Sequence, residues 1–388
     1  MSTHGGSFAI PPQQVLSREF LRWSRRGAAV HGGRSYTFLL ARTAIYHALH
    51  ALGIGPRDHV LLPAYLCDAA VQPVSALGAT VDFYEVGEDC RADLDALRAG
   101  ITSATRAVMC VHYFGFPQPL EPLRELCDRH GLVLIEDCAH VLPPAAGDPI
   151  IGRVGDLAVY SWRKLLPVED GATLVVNGAR PEITVRLTPE SPLRTLRMAK
   201  DMCDRAMARS GATGPETVYR WLRRLKGLRG RGAVPPSASE EPAPDSLFEQ
   251  RWLDMPMGRP ARWVLAHADI DGIRRRRRDH YRVLLERTAG LEGVRPVFPV
   301  LPEGVCPWVF PVLFQGHPRA HLALRRRGVP ATAWDGVRPT GIERTAFPRA
   351  DFLYDNLVQV PVHQSLDPAD LDTIAEAIRA VAREGPTG

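Results

Sequence analysis

Short apolar segments alternate with amphipathic segments along the first half of the chain. Six segments are short and rich in apolar residues, as buried strands are, at 59–65, 79–86, 106–114, 132–137, 156–162 and 173–177. Segments with apolar residues at helical spacing lie between several of them, at 42–54, 92–101 and 120–131. This alternation predicts an α/β fold with a mostly parallel sheet that helices cover on both faces. Ligands of such sheets bind beyond the carboxyl ends of the strands.

Length and a change of composition divide the chain. A chain of 388 residues is expected to form about two domains. Residues 223–246 are rich in Arg, Gly, Pro and Ser, which favours a helical insertion that ends in a flexible loop. A second strand and helix unit follows at 307–314, 319–328 and 367–384, and its last helix begins at Asp367-Pro368. The predicted parts are an N-terminal arm (1–25), a large domain (26–186), an insertion (187–254) and a C-terminal small domain (255–388).

Charge and cysteine content exclude several classes of protein. The formal net charge of +5 is too small to indicate a nucleic-acid partner, although it suits an anionic substrate. The arginines at 223–246 are interpreted as a solvated surface, and those at 274–281 as the charged face of a helix. No apolar run reaches the ~18 residues of a membrane span, and the N-terminus lacks the pattern of a signal peptide. Seven scattered cysteines favour a reduced, cytoplasmic protein, and no metal site is predicted.

Lysine is rare in this chain. Of 48 basic residues, only Lys164, Lys200 and Lys226 are lysines. Lys164 follows a predicted strand and precedes an Asp-Gly turn, in 161-SWRKLLPVEDGA-172. A primary amine can act as a nucleophile where a guanidinium cannot. Lys164 is therefore a candidate for covalent chemistry, with an ordinary surface lysine as the alternative.

Two other positions complete a possible site. Asp137 ends the buried strand in 132-LVLIEDCAH-140, where a charge needs a cationic partner, although a helix cap is the alternative. Thr43 and Ala44 begin a helix, whose N–H groups suit an anion. Pyridoxal phosphate needs a lysine for an imine, a carboxylate at its ring nitrogen and donors for its phosphate. The three features together predict a site for this cofactor.

The order of these motifs resembles the DegT/DnrJ/StrS family of sugar aminotransferases, within the fold-type I pyridoxal phosphate enzymes of the aspartate aminotransferase superfamily. The similar segments are 42–65, 78–86, 111–117, 135–140, 152–164 and 361–366. They cover roughly residues 30–180 in the family's order and continue more loosely from 255. The resemblance implies a large, mostly parallel sheet domain of the seven-stranded type that binds the cofactor, with a smaller C-terminal αβ domain. It also implies a homodimer with shared active sites.

The resemblance implies roles for individual residues. Lys164 matches the lysine that forms a covalent imine with pyridoxal 5'-phosphate (PLP), and Asp137 matches the carboxylate at the pyridine nitrogen. His140 stands where the family has Gln or His beside the ring hydroxyl. The residues implied to bind the phosphate are Ser161, Thr43 and Ala44.

The sequence also departs from the family pattern. Only two residues separate Ser161 from Lys164, where the family usually has four. Arg42 occupies a position at which the family often has glycine. Cys67 aligns with an aromatic residue that commonly stacks on the cofactor ring; Tyr65 is the candidate replacement, with ordinary packing as the alternative.

The leading hypothesis is a PLP-dependent aminotransferase. It would transfer an amino group from glutamate or glutamine to a nucleotide-linked keto-sugar or to a cyclitol ketone. The product would serve polysaccharide or natural-product biosynthesis. A PLP-dependent lyase, or other Cα/Cβ chemistry on an amino acid, is the first alternative, because the Ser161–Lys164 spacing is shortened. A regulatory protein that binds PLP without turnover is the second. The expected partners are a small-molecule donor and acceptor, with neither nucleic acid nor membrane.

Overall fold

A sheet of seven strands forms the centre of the N-terminal part of the molecule. The computed structural model describes residues 10–22, 34–142, 151–178, 182–210 and 252–384. The strands are β1 (Arg34–Phe38), β2 (His59–Pro63), β3 (Thr80–Tyr84), β4 (Thr105–Val111), β5 (Val133–Cys138), β6 (Leu157–Ser161) and β7 (Ala172–Val176). Their order across the sheet is β1-β7-β6-β5-β4-β2-β3. Strands β2, β3, β4, β5 and β6 are mutually parallel, and β7 is antiparallel to both of its neighbours, β1 and β6.

The predicted α/β fold with a mostly parallel sheet is confirmed. All five residues of β6 and all five of β7 are buried, which their apolar sequences indicate. The helices of this part are α1 (Ala41–Ala51), α2 (Gln72–Ala76), α3 (Leu94–Gly100) and α4 (Leu120–His130). Helix α4 ends at Gly131, whose φ of 65° is the left-handed conformation typical of a helix C-terminus. The sequence did not reveal β1, an edge strand that contains Arg34 and Ser35.

A second, antiparallel sheet lies in the C-terminal part. Its strands are β8 (Val294–Pro296), β9 (Val309–Phe314) and β10 (Leu357–Pro361), in the order β10-β9-β8. The accompanying helices are α6 (Arg259–His267), α7 (Ile270–Thr288), α8 (Ala320–Arg326), α9 (Pro348–Asn356) and α10 (Pro368–Arg383). The predicted start of the last helix is confirmed, because Asp367 caps α10 in a reciprocal bond with Asp370. The domain boundaries themselves stay predictions.

The region between the two sheets is described only in part. Helix α5 (Pro192–Ser210) lies in the predicted insertion, and the predicted flexible loop at 223–246 lies outside the described residues. Within the described ranges, no helix has the length and apolar character needed to cross a membrane.

Glu136 fixes the turn that precedes β6. Its side chain is fully buried. It accepts the N–H groups of Gly152 (2.6 Å), Val154 (2.9 Å) and Gly155 (2.6 Å), and a hydrogen bond from Nε2 of His112 (2.9 Å). Burial alone raises the pKa of Glu136, but these donors outweigh it, so the pKa lies below its ordinary value. Glu136 is therefore a structural carboxylate.

His112, Glu136 and Cys138 are close enough together to suggest a metal site. Nδ1 of His112 accepts the N–H of Gln118 at 3.1 Å, so Nε2 carries the proton that it donates to Glu136. A metal ion bound at Nε2 would have to displace this proton and break the hydrogen bond to Glu136. The group is a hydrogen-bond network of the core.

Replacing Glu136 with Gln should lower the free energy of unfolding by about 3 kcal/mol at neutral pH, because the Gln amide places a donor against buried donors. The pKa of Glu136 is lowered in the folded state, so its contribution is present above the ordinary carboxyl pKa. That contribution is lost as the pH falls through the lowered value. Urea unfolding at several pH values measures the effect. Glu125→Gln, at an exposed position of α4, is the matched control.

Candidate active site

The carboxyl ends of β5 and β6 bring the predicted catalytic residues together. Asp137 is the next-to-last residue of β5 and pairs with Val159 of β6. Strand β6 ends at Ser161, and a single 3-10 turn, Trp162–Lys164, follows directly. Because β5 and β6 are adjacent and parallel, Asp137 and Lys164 lie at the same edge of the sheet.

Lys164 contacts His140 directly. The distance from Nζ of Lys164 to Nε2 of His140 is 2.7 Å. The other ring nitrogen of His140, Nδ1, accepts the N–H of Phe114 at 3.1 Å. A neutral imidazole that accepts at Nδ1 carries its proton at Nε2. His140 therefore donates to Lys164, and the Lys164 amine accepts with its lone pair, which a protonated ammonium lacks.

The surroundings of Lys164 favour the same protonation states. Burial lowers the pKa of Lys164, and Arg163 and Arg42 lower it further, against the opposing charge of Asp137. Burial, followed by the charge of Lys164, holds the pKa of His140 well below its ordinary value. The site thus favours a neutral amine beside a neutral imidazole, and a neutral amine is the nucleophilic form.

Asp137 has one oxygen engaged by the protein. Oδ1 accepts the N–H of Ala139 at 2.8 Å, and no described residue donates to Oδ2. Burial raises the pKa of Asp137, and the charge of Lys164 and the Ala139 N–H act against that rise. A half-buried carboxylate with a spare oxygen suits a cationic N–H donor.

A backbone connection places the start of α1 beside the lysine turn. The N–H of Gly171 donates to Leu39 O at 2.7 Å, and Gly171 O accepts the N–H of Trp162 at 3.0 Å. Gly171 has a φ of +112°, and a Cβ there would lie 2.7 Å from Cε of Met257, so only glycine fits. Thr43, which follows Leu39 by four residues, and Ser161, which pairs with Ala172, are both buried.

Two arginines add positive charge to this corner. Burial lowers the pKa of Arg42 to about 10, with Arg163 as the next cause, and burial likewise lowers the pKa of Arg163. Glu169 and Asp170, the acidic residues that act on Arg163, pair with Arg205 and Arg194 respectively. The excess of positive charge favours an anion. The N–H of Ala44 donates to Leu40 O at 3.1 Å, a bond of the helix itself, so the adjacent N–H groups at the helix start are better placed for a ligand.

The described ring contacts of Tyr65 are with other aromatic side chains. Its side chain is fully buried among the rings of Tyr113 (5.7 Å between centroids), Trp334 (4.9 Å) and Tyr354 (4.9 Å). Its hydroxyl has no hydrogen-bond partner among the described residues. This placement favours ordinary packing, the alternative interpretation of Tyr65, over stacking on a cofactor ring.

Sequence reasoning missed an aromatic residue that contacts both Lys164 and His140. Trp308, which precedes β9, stacks on His140 with the ring centroids 4.2 Å apart and the planes at 20°. The Nζ of Lys164 lies 4.8 Å from the centroid of the same ring. The sequence predicted a strand at 307–314, which includes Trp308, but not the contact of this side chain with His140. No local pattern indicates which distant residues a side chain contacts.

The fold of this chain is similar to the folds of solved aminotransferases. The protein Spr1654 of Streptococcus pneumoniae, assigned as a sugar aminotransferase and solved in its PLP form, is similar with a TM-score of 0.65. The two chains are 17% identical, and the similarity covers 92% of this chain and 88% of that one. At this identity the likeness shows the fold. The model of the DegT/DnrJ/EryC1/StrS aminotransferase family matches residues 35–186 of this chain.

Curated relatives resemble part of the chain. The chain is 35% identical over 137 residues to GDP-perosamine synthase of Vibrio cholerae, which is 34% of this chain and 37% of that protein. It is 38% identical over 149 residues to the dTDP-3-amino-3,4,6-trideoxy-alpha-D-glucose transaminase of Streptomyces venezuelae, 37% of this chain and 38% of that one. The chain thus matches less than two fifths of the length of each.

Proposed function

We propose that the protein is a PLP-dependent aminotransferase that moves an amino group from glutamate or glutamine to a keto-sugar, nucleotide-linked, or to a cyclitol ketone. The observation that carries this proposal is the Lys164 amine, which accepts a hydrogen bond from neutral His140 at 2.7 Å beside Asp137. The match of residues 35–186 to the family model and the activities of the two curated relatives support the reaction class. The family resemblance supports a homodimer, which a mass measurement in solution tests.

The site fits PLP in three respects. Lys164 offers a neutral amine for the covalent bond, and the spare Oδ2 of Asp137 suits the protonated ring nitrogen. The charge of Arg42 and Arg163, together with Thr43 and Ser161, suits the dianionic phosphate. When bound, PLP supplies an electron sink for the bonds at the substrate Cα.

Four residues of the chain have separate roles in the proposed reaction. With the cofactor bound, Nζ of Lys164 would act as the base that takes the proton from the donor Cα and returns it to an adjacent atom. His140 holds Nζ through its Nε2–H, so the amine stays within reach during this transfer. Oδ2 of Asp137 would accept a hydrogen bond from a protonated ring nitrogen, whose positive charge would favour the ionised carboxylate. Trp308 covers Nζ and His140 on one side and limits the access of water.

The visible absorption spectrum of the purified protein with PLP, before and after L-glutamate, tests this proposal. We expect a yellow band from the cofactor on Lys164 that glutamate converts to the pyridoxamine form. A band that neither glutamate nor glutamine changes would favour the lyase alternative or the regulatory one. Absence of a band would contradict the cofactor assignment.

A further inference from the structure

The arginine run at 274–281 does not form only a charged face. Arg277 of α7 is fully buried, although the exposed neighbours Arg275 and Arg276 follow the predicted pattern. No carboxylate among the described residues forms an ion pair with Arg277, and burial lowers its pKa to about 10. A buried cation without a counter-ion is costly, so its bonds must offset a large desolvation penalty.

All five N–H donors of Arg277 have acceptors, which are carbonyl or amide oxygens. Nε donates to Oε1 of Gln364 (2.8 Å), and Nη1 donates to the carbonyls of Trp308 (2.9 Å) and Pro307 (3.4 Å). Nη2 donates to the carbonyl of Leu165 (3.3 Å) and to Oε1 of Gln14 (3.3 Å). No donor remains for a ligand. Arg277 is therefore not a binding residue.

Two buried glutamines extend the same network to the lysine turn. Nε2 of Gln14, in the N-terminal segment, donates to the carbonyls of Arg163 and Leu166, both at 2.8 Å. Nε2 of Gln364 donates to the carbonyl of Leu165 at 3.2 Å. Both glutamine side chains are at least nine-tenths buried. The carbonyls on either side of Lys164 are thus held by side chains from three distant parts of the chain.

We propose that Gln14, Arg277 and Gln364 form a carbonyl clamp that positions Lys164 and Trp308 relative to each other. The clamp holds the turn after Ser161, which is two residues shorter than the family pattern, and the backbone of the tryptophan that covers Nζ. Arginine suits this task because its fork presents five donors in a fixed geometry. The three residues act through others and are positioning residues. The proposal rests on the proposed function only for the role of Lys164.

The reactivity of the Lys164 amine tests the clamp without any cofactor. The full-length chain is treated with hydroxylamine to release bound aldehyde, and it is then labelled with trace acetic anhydride across a pH series. Mass spectrometry of the peptides gives the midpoint of Lys164 and, as an internal reference, of Lys200, which pairs with Asp204 on exposed α5. Failure of the PLP assignment leaves this measurement intact, so the two proposals fail separately.

We expect Arg277→Gln to move the Lys164 midpoint upward, with at least about a threefold change in the fraction of neutral amine, because a looser turn admits water. Gln14→Leu should act in the same direction and provides the test if Arg277→Gln does not fold. Arg277→Lys should not restore the midpoint, because an ammonium has only three donors for five acceptors. The matched control is Arg275→Gln, an exposed position of the same helix, which should match the wild type.

Thermal unfolding of each variant identifies those that stay folded. A wild-type Lys164 midpoint in folded Arg277→Gln and Gln14→Leu would overturn the clamp. A wild-type midpoint in Arg277→Lys would show that charge, rather than the arrangement of the five bonds, does the positioning. An equal shift of Lys200 would indicate general loosening of the fold and would also overturn the proposal.

Discussion

Replacing Lys164 with arginine is expected to abolish amino-group transfer, with a loss on the order of 10⁴-fold or more. The substitution keeps the positive charge and much of the volume of the side chain. It removes the amine, and a guanidinium neither forms the covalent bond nor exchanges a proton at neutral pH. The hydrogen bond with His140 would also change, because a guanidinium offers no lone pair to its Nε2–H. Single-turnover absorbance with PLP and glutamate measures the loss.

Lys200→Arg is the matched control for this experiment. Lys200 lies on α5 and forms an exposed ion pair with Asp204, which arginine can also form. We expect activity within about twofold of the wild type. Transfer that persists in Lys164→Arg at more than a few per cent would place the reactive amine elsewhere. Peptide mapping after borohydride reduction would then identify the lysine that carries the cofactor mass.

Replacing Asp137 with asparagine is expected to reduce kcat/KM on the order of a thousandfold, the loss found when one charge-stabilising group is removed from an active site. Asparagine has the same shape, and its side-chain oxygen can still accept the N–H of Ala139. It lacks the negative charge that opposes the ring-nitrogen cation, so the cofactor would accept electrons less readily. Removing this charge should also lower the pKa of Lys164, since Asp137 is the largest cause that raises it.

The two effects are separable by measurement. Steady-state kinetics with glutamate give kcat/KM, and a pH titration of Lys164 labelling gives the amine pKa. Asp279→Asn is a suitable control, because Asp279 forms an exposed pair with Arg282 on α7 and should be neutral in both assays. If Asp137→Asn retained wild-type kcat/KM while its Lys164 pKa fell, Asp137 would act only on the lysine and not on the cofactor ring.

The sequence indicated the local parts of this molecule better than their assembly. The six apolar strands of the large sheet and the position of Lys164 follow from burial and from the chemistry of one rare residue type. The edge strand β1 was missed because its exposed residues, Arg34 and Ser35, interrupt any apolar pattern. Asp137 and Lys164 lie at the same edge of the sheet because the carboxyl ends of adjacent parallel strands meet there.

Contacts between distant segments lay beyond the sequence. Arg277 is identical in type to its exposed neighbours, and only the packing of α7 against the lysine turn buries it. Trp308 and Tyr65 show the same limit: an aromatic side chain next to an apolar strand reaches a site or a core according to the tertiary fold. The spacing of apolar residues in a helix or strand indicates which face a residue lies on, but it does not identify the segment that packs against that face.

The clamp also determines when the chain can become reactive during synthesis. Its bonds join Gln14 to Leu166 and Gln364 to Leu165, residues 152 and 199 positions apart. A nascent chain therefore carries Lys164 long before the glutamine that completes the clamp has left the ribosome. Until then the lysine turn lacks several of its restraints and its amine is an ordinary, mostly protonated one. If Lys164 holds an aldehyde cofactor as proposed, we expect stable capture only after the whole chain has folded.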